Sequence, residues 1–344
     1  MADNGTGGDA VRTTVVVVPR ERWSKARESL QSVLDNTSAP HRLVYVDGDS
    51  PRGLRRWLDE QAAEHGFKLV RRECYLSPNE ARNIGLAEVE TEYVAFVDND
   101  VHVRPGWLEP LIAAADASGA ALVGPLVCDR DLETVHCAGG TLEIVEEEED
   151  GEPVRRVRER MGFPMRPMAE AKPQLEAGEC SLTEFHAVLA RREALQRNGG
   201  VDERMLNSRE HLDVCLEVMR DGGKIWFEPA SVVIYLTPPP LKLGDIHFYA
   251  VRWSDEWERR SLERFREKWN LTADSFFKRR FEQLGWRRRE HVFSPIVRRL
   301  TLGRRSHRVE QLLTPLERRL NRTLSARNDR ARAREEARAG ARAD

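Results

Sequence analysis

The chain has 344 residues, of which 40% are hydrophobic and 33% charged, so it can bury a sizeable core. Its 55 basic and 57 acidic side chains nearly cancel, and the near-neutral charge disfavours a nucleic-acid-binding protein. Five cysteines, an odd number without a CxxC pair, disfavour a zinc site and a disulfide framework. The polar start is unlike a signal peptide and no run of about 18 apolar residues occurs, which favours a cytoplasmic protein.

The first third of the chain alternates short apolar runs with amphipathic segments. A continuous β-branched run occurs at 13–18, and further runs typical of buried strands occur at 42–46 and 93–97. Helical segments lie between them at 22–36, 53–65 and 78–87. Ser77 and Glu80 have the spacing of a capping box at the start of the third helix. This alternation predicts βαβ crossovers and a doubly wound sheet.

The remainder of the chain is less regular. Residues 143–161 are strongly charged and predict an exposed hairpin or loop, and 210–220 predict a helix. Further strands are predicted at 120–127, 183–190, 224–227 and 231–235, and the sheet is expected to end at 237–240. Trp257 and Phe265 belong to an aromatic stripe at helical spacing, which favours packing against the domain over a sugar platform.

Polar residues follow three of the predicted strands, where ligands of open parallel sheets bind. They are Pro19-Arg20, Asp47 with the turn after it, and Asp98-Asn99-Asp100. Two carboxylates spaced i, i+2 offer hard oxygen ligands to Mg²⁺ or Mn²⁺, and such a cation can neutralise a departing diphosphate. Taken alone, the same tripeptide also fits a turn with local side-chain hydrogen bonds.

The order of several motifs resembles the inverting family 2 glycosyltransferases, which have the GT-A fold. The matching segments are Pro78–Gly85 (PNEARNIG), Tyr93–Asp100 (YVAFVDND) and Pro105–Leu108 (PGWL), followed by Arg191-Arg192, Gly199–Glu203 and Leu212–Leu216. Each motif is weak alone, but their order and spacing are specific. The resemblance covers roughly residues 13–240.

The resemblance implies an α/β fold, with a mixed, mostly parallel Rossmann-like sheet flanked by helices. Residues 10–245 would form the glycosyltransferase domain, with a nucleotide-sugar half at 10–125 and an acceptor half at 126–245. A helical C-terminal extension would follow at 246–324. The Arg/Ala-rich tail at 325–344 is expected to be disordered.

The resemblance also implies the donor and metal sites. Nucleotide-sugar-binding residues would be Pro19, Arg20, Asp47, Arg82 and Asp98. Asp98 and Asp100 would hold Mg²⁺ or Mn²⁺ against the diphosphate. Two alternatives stay open: Asp47 is only a turn residue, and Arg82 is only a surface arginine on a helix.

The catalytic base of the resembled family lies in an acidic pair at the start of a late helix. Glu210 and Asp213 match that pattern, but His211 occupies the usual base position. A carboxylate or a histidine could accept the proton of an acceptor hydroxyl. We rank Glu210 first, His211 second and Asp213 third, the alternative being a capping cluster without catalysis.

A second departure follows the strand at 231–235, where relatives often carry a metal-binding histidine and this chain has Leu236. Either Asp98, Asp100, diphosphate and water hold the metal, or His247 joins them, or metal dependence is weak. The two departures leave open a non-catalytic, nucleotide-sugar-binding relative that acts as a scaffold. A nucleotidyltransferase is disfavoured because no glycine-rich phosphate loop is present.

The implied reaction is the transfer of a sugar, with inversion, from a UDP-, GDP- or dTDP-sugar to an acceptor hydroxyl. The acceptor would be a glycan, a lipid-linked molecule or a small molecule. His136 and His186 are further candidates for acceptor contact, although lone histidines are more often structural. The basic C-terminus is either a solvated helical extension or an amphipathic helix on anionic lipid at the inner face of the membrane.

Overall fold

The computed structural model describes residues 10–236 and 241–343. Within them the strands are β1 (Thr13–Val18), β2 (His41–Gly48), β3 (Lys68–Arg72), β4 (Tyr93–Asp98), β5 (Val101–Val103), β6 (Leu122–Asp129), β7 (Thr134–Cys137), β8 (Gly140–Glu149), β9 (Glu152–Met161), β10 (Gly178–Cys180), β11 (Ala187–Arg191) and β12 (Ile225–Tyr235). The predicted end of the sheet at 237–240 lies outside the described residues.

The helices begin with a set that is interleaved with the strands: α1 (Ala26–Asn36), α2 (Arg52–His65), α3 (Pro78–Leu86), α4 (Leu108–Ser118), α5 (Met168–Ala171), α6 (Arg192–Gln196) and α7 (Glu210–Arg220). A second set follows the last strand: α8 (Leu243–Arg252), α9 (Asp255–Lys268), α10 (Ser275–Glu282), α11 (Trp286–Arg288), α12 (Ser294–Leu300) and α13 (His307–Ala343).

Ten strands form the central sheet, in the order β10-β12-β6-β11-β4-β1-β2-β3, with β5 beside β12 and β7 beside β6. Strands β3, β2, β1 and β4 pair in parallel, as do β6 and β12. Because β11 is antiparallel to both β4 and β6, these six strands all run in one direction. The predicted mixed, mostly parallel sheet flanked by helices is confirmed, and β8 and β9 form a separate hairpin over the charged segment.

The sheet is covered on both faces, which explains its continuous apolar strands. Val16 and Phe96 belong to the core cluster on one face, whereas Val15 and Val97 belong to the cluster on the other. Every residue of β1 and of β4 is buried. Burial on both faces explains why these strands carry no polar and apolar alternation.

The C-terminal helices pack onto the α/β domain through buried side chains. Trp257 and Phe265 are buried, as the aromatic stripe predicts. The long helix α13 runs along the domain, and Asn321 donates a hydrogen bond to the carbonyl of Ala250 over 2.7 Å. Among the described residues, no helix is long and apolar enough to cross a membrane.

The sequence predicts a disordered tail at 325–344, whereas in the structure α13 continues to Ala343. Asn328 explains the difference, because its side chain donates to the carbonyl of Tyr75 and accepts from the amide of Tyr75. Arg332 adds an ion pair with Glu80 at 3.0 Å. These partners are about 250 residues away in the chain, so local composition gives no sign of them.

Candidate active site

The carboxyl edge of the sheet opens into a cavity of about 320 Å³. Topology brings its walls together, because the ends of β1 and β4, the start of β11 and the start of α7 all meet at this edge. Predicted site residues that line the cavity are Arg20, Arg82, Asp98, Glu210 and His211. Those that do not line it are Pro19, Asp47, Asp100 and Asp213.

Asp98 ends β4 and lies between two arginines. Arg82 donates to Oδ1 over 3.1 Å, and Nε of Arg20 lies 3.3 Å from Oδ2. Burial of the carboxyl raises the pKa of Asp98 to about 7, although Arg82 and Arg20 oppose the rise. The cavity wall therefore contains two guanidinium groups paired with one carboxylate. A diphosphate that entered the cavity could take the place of Asp98 as the partner of these arginines.

The position of Arg82 follows from the start of α3. Ser77 accepts a hydrogen bond from the amide of Glu80, and Glu80 accepts one from the amide of Ser77, which is the predicted capping box. Pro78 occupies the first turn, where its missing N–H costs nothing. The fixed helix start places Arg82 beneath the sheet edge, where its guanidinium lies over the ring of Phe185 and is buried rather than on the surface.

Asp100 is fully buried beside the cavity, and neither of its carboxylate oxygens has a hydrogen-bond partner among the described residues. Its nearest cation is Arg22, whose Nε lies 3.6 Å from Oδ2, beyond hydrogen-bond distance. Burial raises the pKa of Asp100 to about 6. A buried carboxylate without hydrogen bonds is costly, and such groups cluster at functional sites.

A chain of hydrogen bonds links Arg20 to two histidines. Asp129 lies 3.1 Å from Nδ1 of His136, and Nε2 of His136 lies 3.2 Å from Nε2 of His186. Nδ1 of His186 lies 2.9 Å from the guanidinium of Arg20, which can only donate. One arrangement satisfies all three contacts: His186 accepts from Arg20 and donates to His136, which donates to Asp129. Burial and Arg20 lower the pKa of His186, in agreement with its neutral form.

Glu210 is the first residue of α7 and faces the cavity. It follows Arg209, whose left-handed backbone (φ 67°) turns the chain sharply into the helix. The buried guanidinium of Arg252 donates to Oε1 over 3.1 Å, whereas Oε2 makes no hydrogen bond with the described part of the chain. One oxygen of Glu210 is thus anchored and the other is free to accept a proton.

His211 and Asp213 have different surroundings from Glu210. His211 lines the cavity, with its Nε2 lying 3.5 Å from Glu184. Asp213 points away, because Lys268 and the indole N–H of Trp269 donate to its two oxygens over 2.6 and 2.8 Å. Burial raises the pKa of Asp213 to about 6 despite Lys268. The structure therefore groups Glu210 and His211 with Asp98, and ties Asp213 to α9.

Asp47 lies at the end of β2, outside the cavity. Ser50 donates to it from its backbone amide and its hydroxyl, both over 3.0 Å, and Arg71 donates to Oδ2 over 2.8 Å. Pro19 is buried at the end of β1. Both residues lie at the same sheet edge as Asp98, and a role in binding the nucleotide remains a prediction for each.

Comparison with protein families identifies the chain. Residues 14–198, more than half of its length, match the family described as Glycosyl transferase family 2. The chain belongs to glycosyl transferase family 2. Its α/β sheet with flanking helices is the GT-A-like fold that the sequence predicts.

Curated relatives and solved structures agree with this family. The chain is 32% identical over 229 residues to the pre-mycofactocin glycosyltransferase of Mycobacterium tuberculosis, covering 66% of this chain and 43% of that protein. It is 30% identical over 118 residues to human polypeptide N-acetylgalactosaminyltransferase 15, covering 33% and 18%. The crystal structure of GalNAc-T7 with UDP, GalNAc and Mn²⁺ superposes with a TM-score of 0.51 at 18% identity, covering 83% and 58%. The chain spans less than half of the length of these curated relatives.

The family 2 fold raises the question of a divalent cation. Within residues 10–236 and 241–343, no group of three or more histidine, cysteine or acidic side chains is arranged to hold one. The oxygens of Asp100, which accept no hydrogen bond within these residues, nevertheless suit a cation, with Asp98 on the same edge. The remaining ligands would come from diphosphate and water. His247 is not placed to help, because its Nδ1 lies 2.8 Å from the hydroxyl of Tyr75, and neither residue lines the cavity.

Several buried residues that support the candidate cavity could not be recognised from the sequence. Glu21 is buried and accepts hydrogen bonds from Tyr235 (2.9 Å) and Trp253 (3.0 Å), more than 200 positions away. Arg252 donates to Glu210 and to the carbonyl of Arg20, and so joins three separate segments. The sequence contains one local indication of these contacts, the run Arg20-Glu21-Arg22. Three charged residues directly after a buried strand need ion-pair partners or a ligand.

Proposed function

We propose that the chain transfers a sugar from a nucleotide diphosphate sugar to an acceptor hydroxyl, with inversion and with the help of Mg²⁺ or Mn²⁺. The observation that carries this proposal is the cluster of Asp98, Arg20 and Arg82 in one cavity with Glu210. Beside it lies the carboxylate of Asp100, which has no hydrogen-bond partner among the described residues. Membership of glycosyl transferase family 2 supports the class of reaction.

The donor diphosphate would lie against Asp98 and Asp100. A divalent cation, when bound there, would neutralise charge on the departing diphosphate. Arg20 and Arg82 would turn from Asp98 toward phosphate oxygens, a role that suits the planar guanidinium group. The hydrogen bond from Arg20 to His186 would hold the arginine in place during that exchange.

Glu210 would act as the general base. The acceptor oxygen attacks the anomeric carbon, the bond from that carbon to the diphosphate oxygen breaks, and the hydroxyl proton passes to Oε2 of Glu210. A single displacement of this kind inverts the configuration at the anomeric carbon. The hydrogen bond from Arg252 fixes Oε1 and thereby orients Oε2. His211, paired with Glu184, is the second candidate for the same role.

The donor and acceptor are proposals of the same kind. Among UDP-, GDP- and dTDP-sugars we place UDP-sugars first, because the similarly folded GalNAc-T7 was crystallised with UDP. The acceptor would be a glycan, a lipid-linked molecule or a small molecule, and the site of action the cytoplasm.

A nucleotide screen tests the proposal. UDP with Mn²⁺ should raise the melting temperature by about 3–5 °C at a concentration near 100 times its dissociation constant. GDP, dTDP and CMP should raise it less, and EDTA should remove most of the shift. UDP-sugars incubated with the protein and Mn²⁺ should slowly release UDP.

The screen also separates the enzyme from a scaffold. A non-catalytic nucleotide-sugar-binding protein would show the thermal shift with UDP but release no sugar from any donor. If no nucleoside diphosphate shifted the melting temperature, with or without metal, both proposals would fail.

A further inference from the structure

The segment 296–322, which spans α12 and the first part of α13, exposes an unusual number of large apolar side chains. Six of the eleven large hydrophobic residues that are exposed in the described chain lie in it, at 47–95% exposure. They are Ile296, Leu300, Leu302, Leu312, Leu316 and Leu320. Scattered exposed leucines need no explanation, but a concentration within one short segment does.

The same segment is strongly basic. Its arginines are Arg298, Arg299, Arg304, Arg305, Arg308, Arg318, Arg319 and Arg322. Its two acidic residues are largely buried by contacts within the protein: Glu317 pairs with Arg288, and Glu310 accepts a hydrogen bond from Ser294 over 2.8 Å. The segment thus carries a net charge of +6, whereas the whole chain carries −2, so that the rest of the chain carries −8.

Helix α13 presents three of its leucines away from the domain. Leu312, Leu316 and Leu320 are spaced by four residues and form one stripe. The side of the helix that packs on the domain carries Asn321 and Asn328, roughly opposite this stripe. By the same helical period, Arg308 and Arg319 flank the leucines. Apolar and positively charged side chains therefore share the outer surface of the helix.

We propose that the basic-leucine surface, defined as residues 296–322, docks on a membrane surface that contains anionic lipid. Leucines on one side of an in-plane helix enter the boundary between head groups and acyl chains, and flanking arginines bind anionic head groups. Charge complementarity favours this occupant, because the segment carries +6 and attracts anionic lipid, whereas the rest of the chain taken together carries −8 and is repelled by it.

A lipid surface accounts for both properties of this segment. Nucleic acid would explain the arginines but leave the leucines exposed, and self-association through the leucines would bring like charges together. The surface is formed by helices that follow the sheet and has no residue in the candidate active-site cavity. The proposal therefore stands independently of sugar transfer.

Vesicle co-sedimentation of the full chain tests the proposal. Binding to phosphatidylcholine vesicles with about 30% phosphatidylglycerol should be at least about tenfold stronger than binding to pure phosphatidylcholine, and 0.5 M salt should weaken it. The triple variant Leu312→Gln, Leu316→Gln, Leu320→Gln should lose about tenfold or more of this binding, because its apolar stripe is gone.

Two controls keep the outcome decisive. Leu243 and Met165 are also exposed but lie elsewhere, so Leu243→Gln and Met165→Gln should bind vesicles as wild type does. The melting temperature of each variant checks that it is folded. Equal binding to both kinds of vesicle, or unchanged binding of a folded triple variant, would overturn the proposal. So would vesicle-independent dimers that the triple variant converts to monomers, because the leucines would then serve self-association.

Discussion

Replacement of Glu210 by glutamine should reduce sugar transfer by a factor of about 10²–10⁴ while the affinity for the donor nucleotide stays within about twofold of wild type. The amide cannot accept the proton of the acceptor hydroxyl, but it keeps the shape of the side chain. Its oxygen can still accept the hydrogen bond from Arg252. Initial rates of transfer and calorimetric titration with UDP measure the two quantities.

Glutamine is the appropriate substitution because Arg252 is fully buried. Glutamine removes the charge but keeps a hydrogen-bond acceptor for the guanidinium group. Alanine would leave that group with neither, and breaking a buried ion pair in this way costs about 3–5 kcal/mol. A loss of activity in Glu210→Ala would therefore mix unfolding with catalysis. The glutamine variant should melt within a few degrees of wild type.

Asp213→Asn is the matched control on the same helix. Asp213 is buried and bound by Lys268 and Trp269 outside the cavity, so this change should lower stability by roughly 1–3 kcal/mol and leave transfer per folded molecule nearly unchanged. His211→Gln distinguishes the second candidate base. If Glu210→Gln retained full activity while His211→Gln lost it, Glu210 would not be the base and His211 would replace it.

Asp100→Asn should abolish Mn²⁺-dependent binding of UDP and reduce transfer at least about a hundredfold, yet it should stabilise the folded protein without metal. Among the described residues, neither oxygen of buried Asp100 has a hydrogen-bond partner. Burial raises its pKa even though Arg20 and Arg22 oppose the rise, so the ionised group is costly unless a cation binds. Metal binding requires that charge. UDP titrations with and without Mn²⁺, together with melting curves, measure both effects.

The gain in stability should depend on pH in a defined direction. The pKa of Asp100 is raised by burial to about 6, above its value of about 3.9 in the unfolded chain. The folded state therefore binds the proton more tightly, and stability falls as pH rises from about 4 to 6. Without metal, the variant should exceed wild type by roughly 1–3 kcal/mol at pH 8, and the difference should shrink near pH 4.

A surface carboxylate provides the control for these measurements. Asp116 pairs with Arg12, which precedes β1 and so lies at the opposite end of the strand from the cavity residue Arg20. Asp116→Asn should therefore leave the Mn²⁺ dependence of UDP binding unchanged. If Asp100→Asn transferred sugar at the wild-type rate, the assignment of Asp100 to a metal would be wrong.

The sequence predicts those features that depend on local patterns. The valine run of β1 predicts burial on both faces of the strand, because a strand covered on both sides needs apolar residues at every position. The capping box at Ser77 fixed the start of α3, and hence the neighbourhood of Arg82, from four consecutive residues. The ends of β1, β2 and β4 marked the edge at which the cavity lies.

Features that depend on distant partners were not predictable in this way. Glu210 and Asp213 are three positions apart on one helix but have different environments. Arg252 binds Glu210 at the cavity, whereas Lys268 and Trp269 bind Asp213 outside it. The composition of 325–344 is typical of a disordered segment, but the side chain of Asn328 donates a hydrogen bond to the backbone carbonyl of Tyr75. The hydrogen bond between His136 and His186 similarly forms only because the sheet brings β7 close to the start of β11.

The proposed reaction depends on a divalent cation that Asp98 and Asp100 hold against the diphosphate of the donor. A crystal structure with UDP and Mn²⁺, with the metal located by its anomalous scattering, tests it most directly. We expect a manganese peak about 2.0–2.3 Å from a carboxylate oxygen of Asp100 and from oxygens of the diphosphate, with Arg20 or Arg82 turned toward the diphosphate. Bound UDP whose phosphates lie away from this edge, or a manganese peak that neither aspartate contacts, would contradict it.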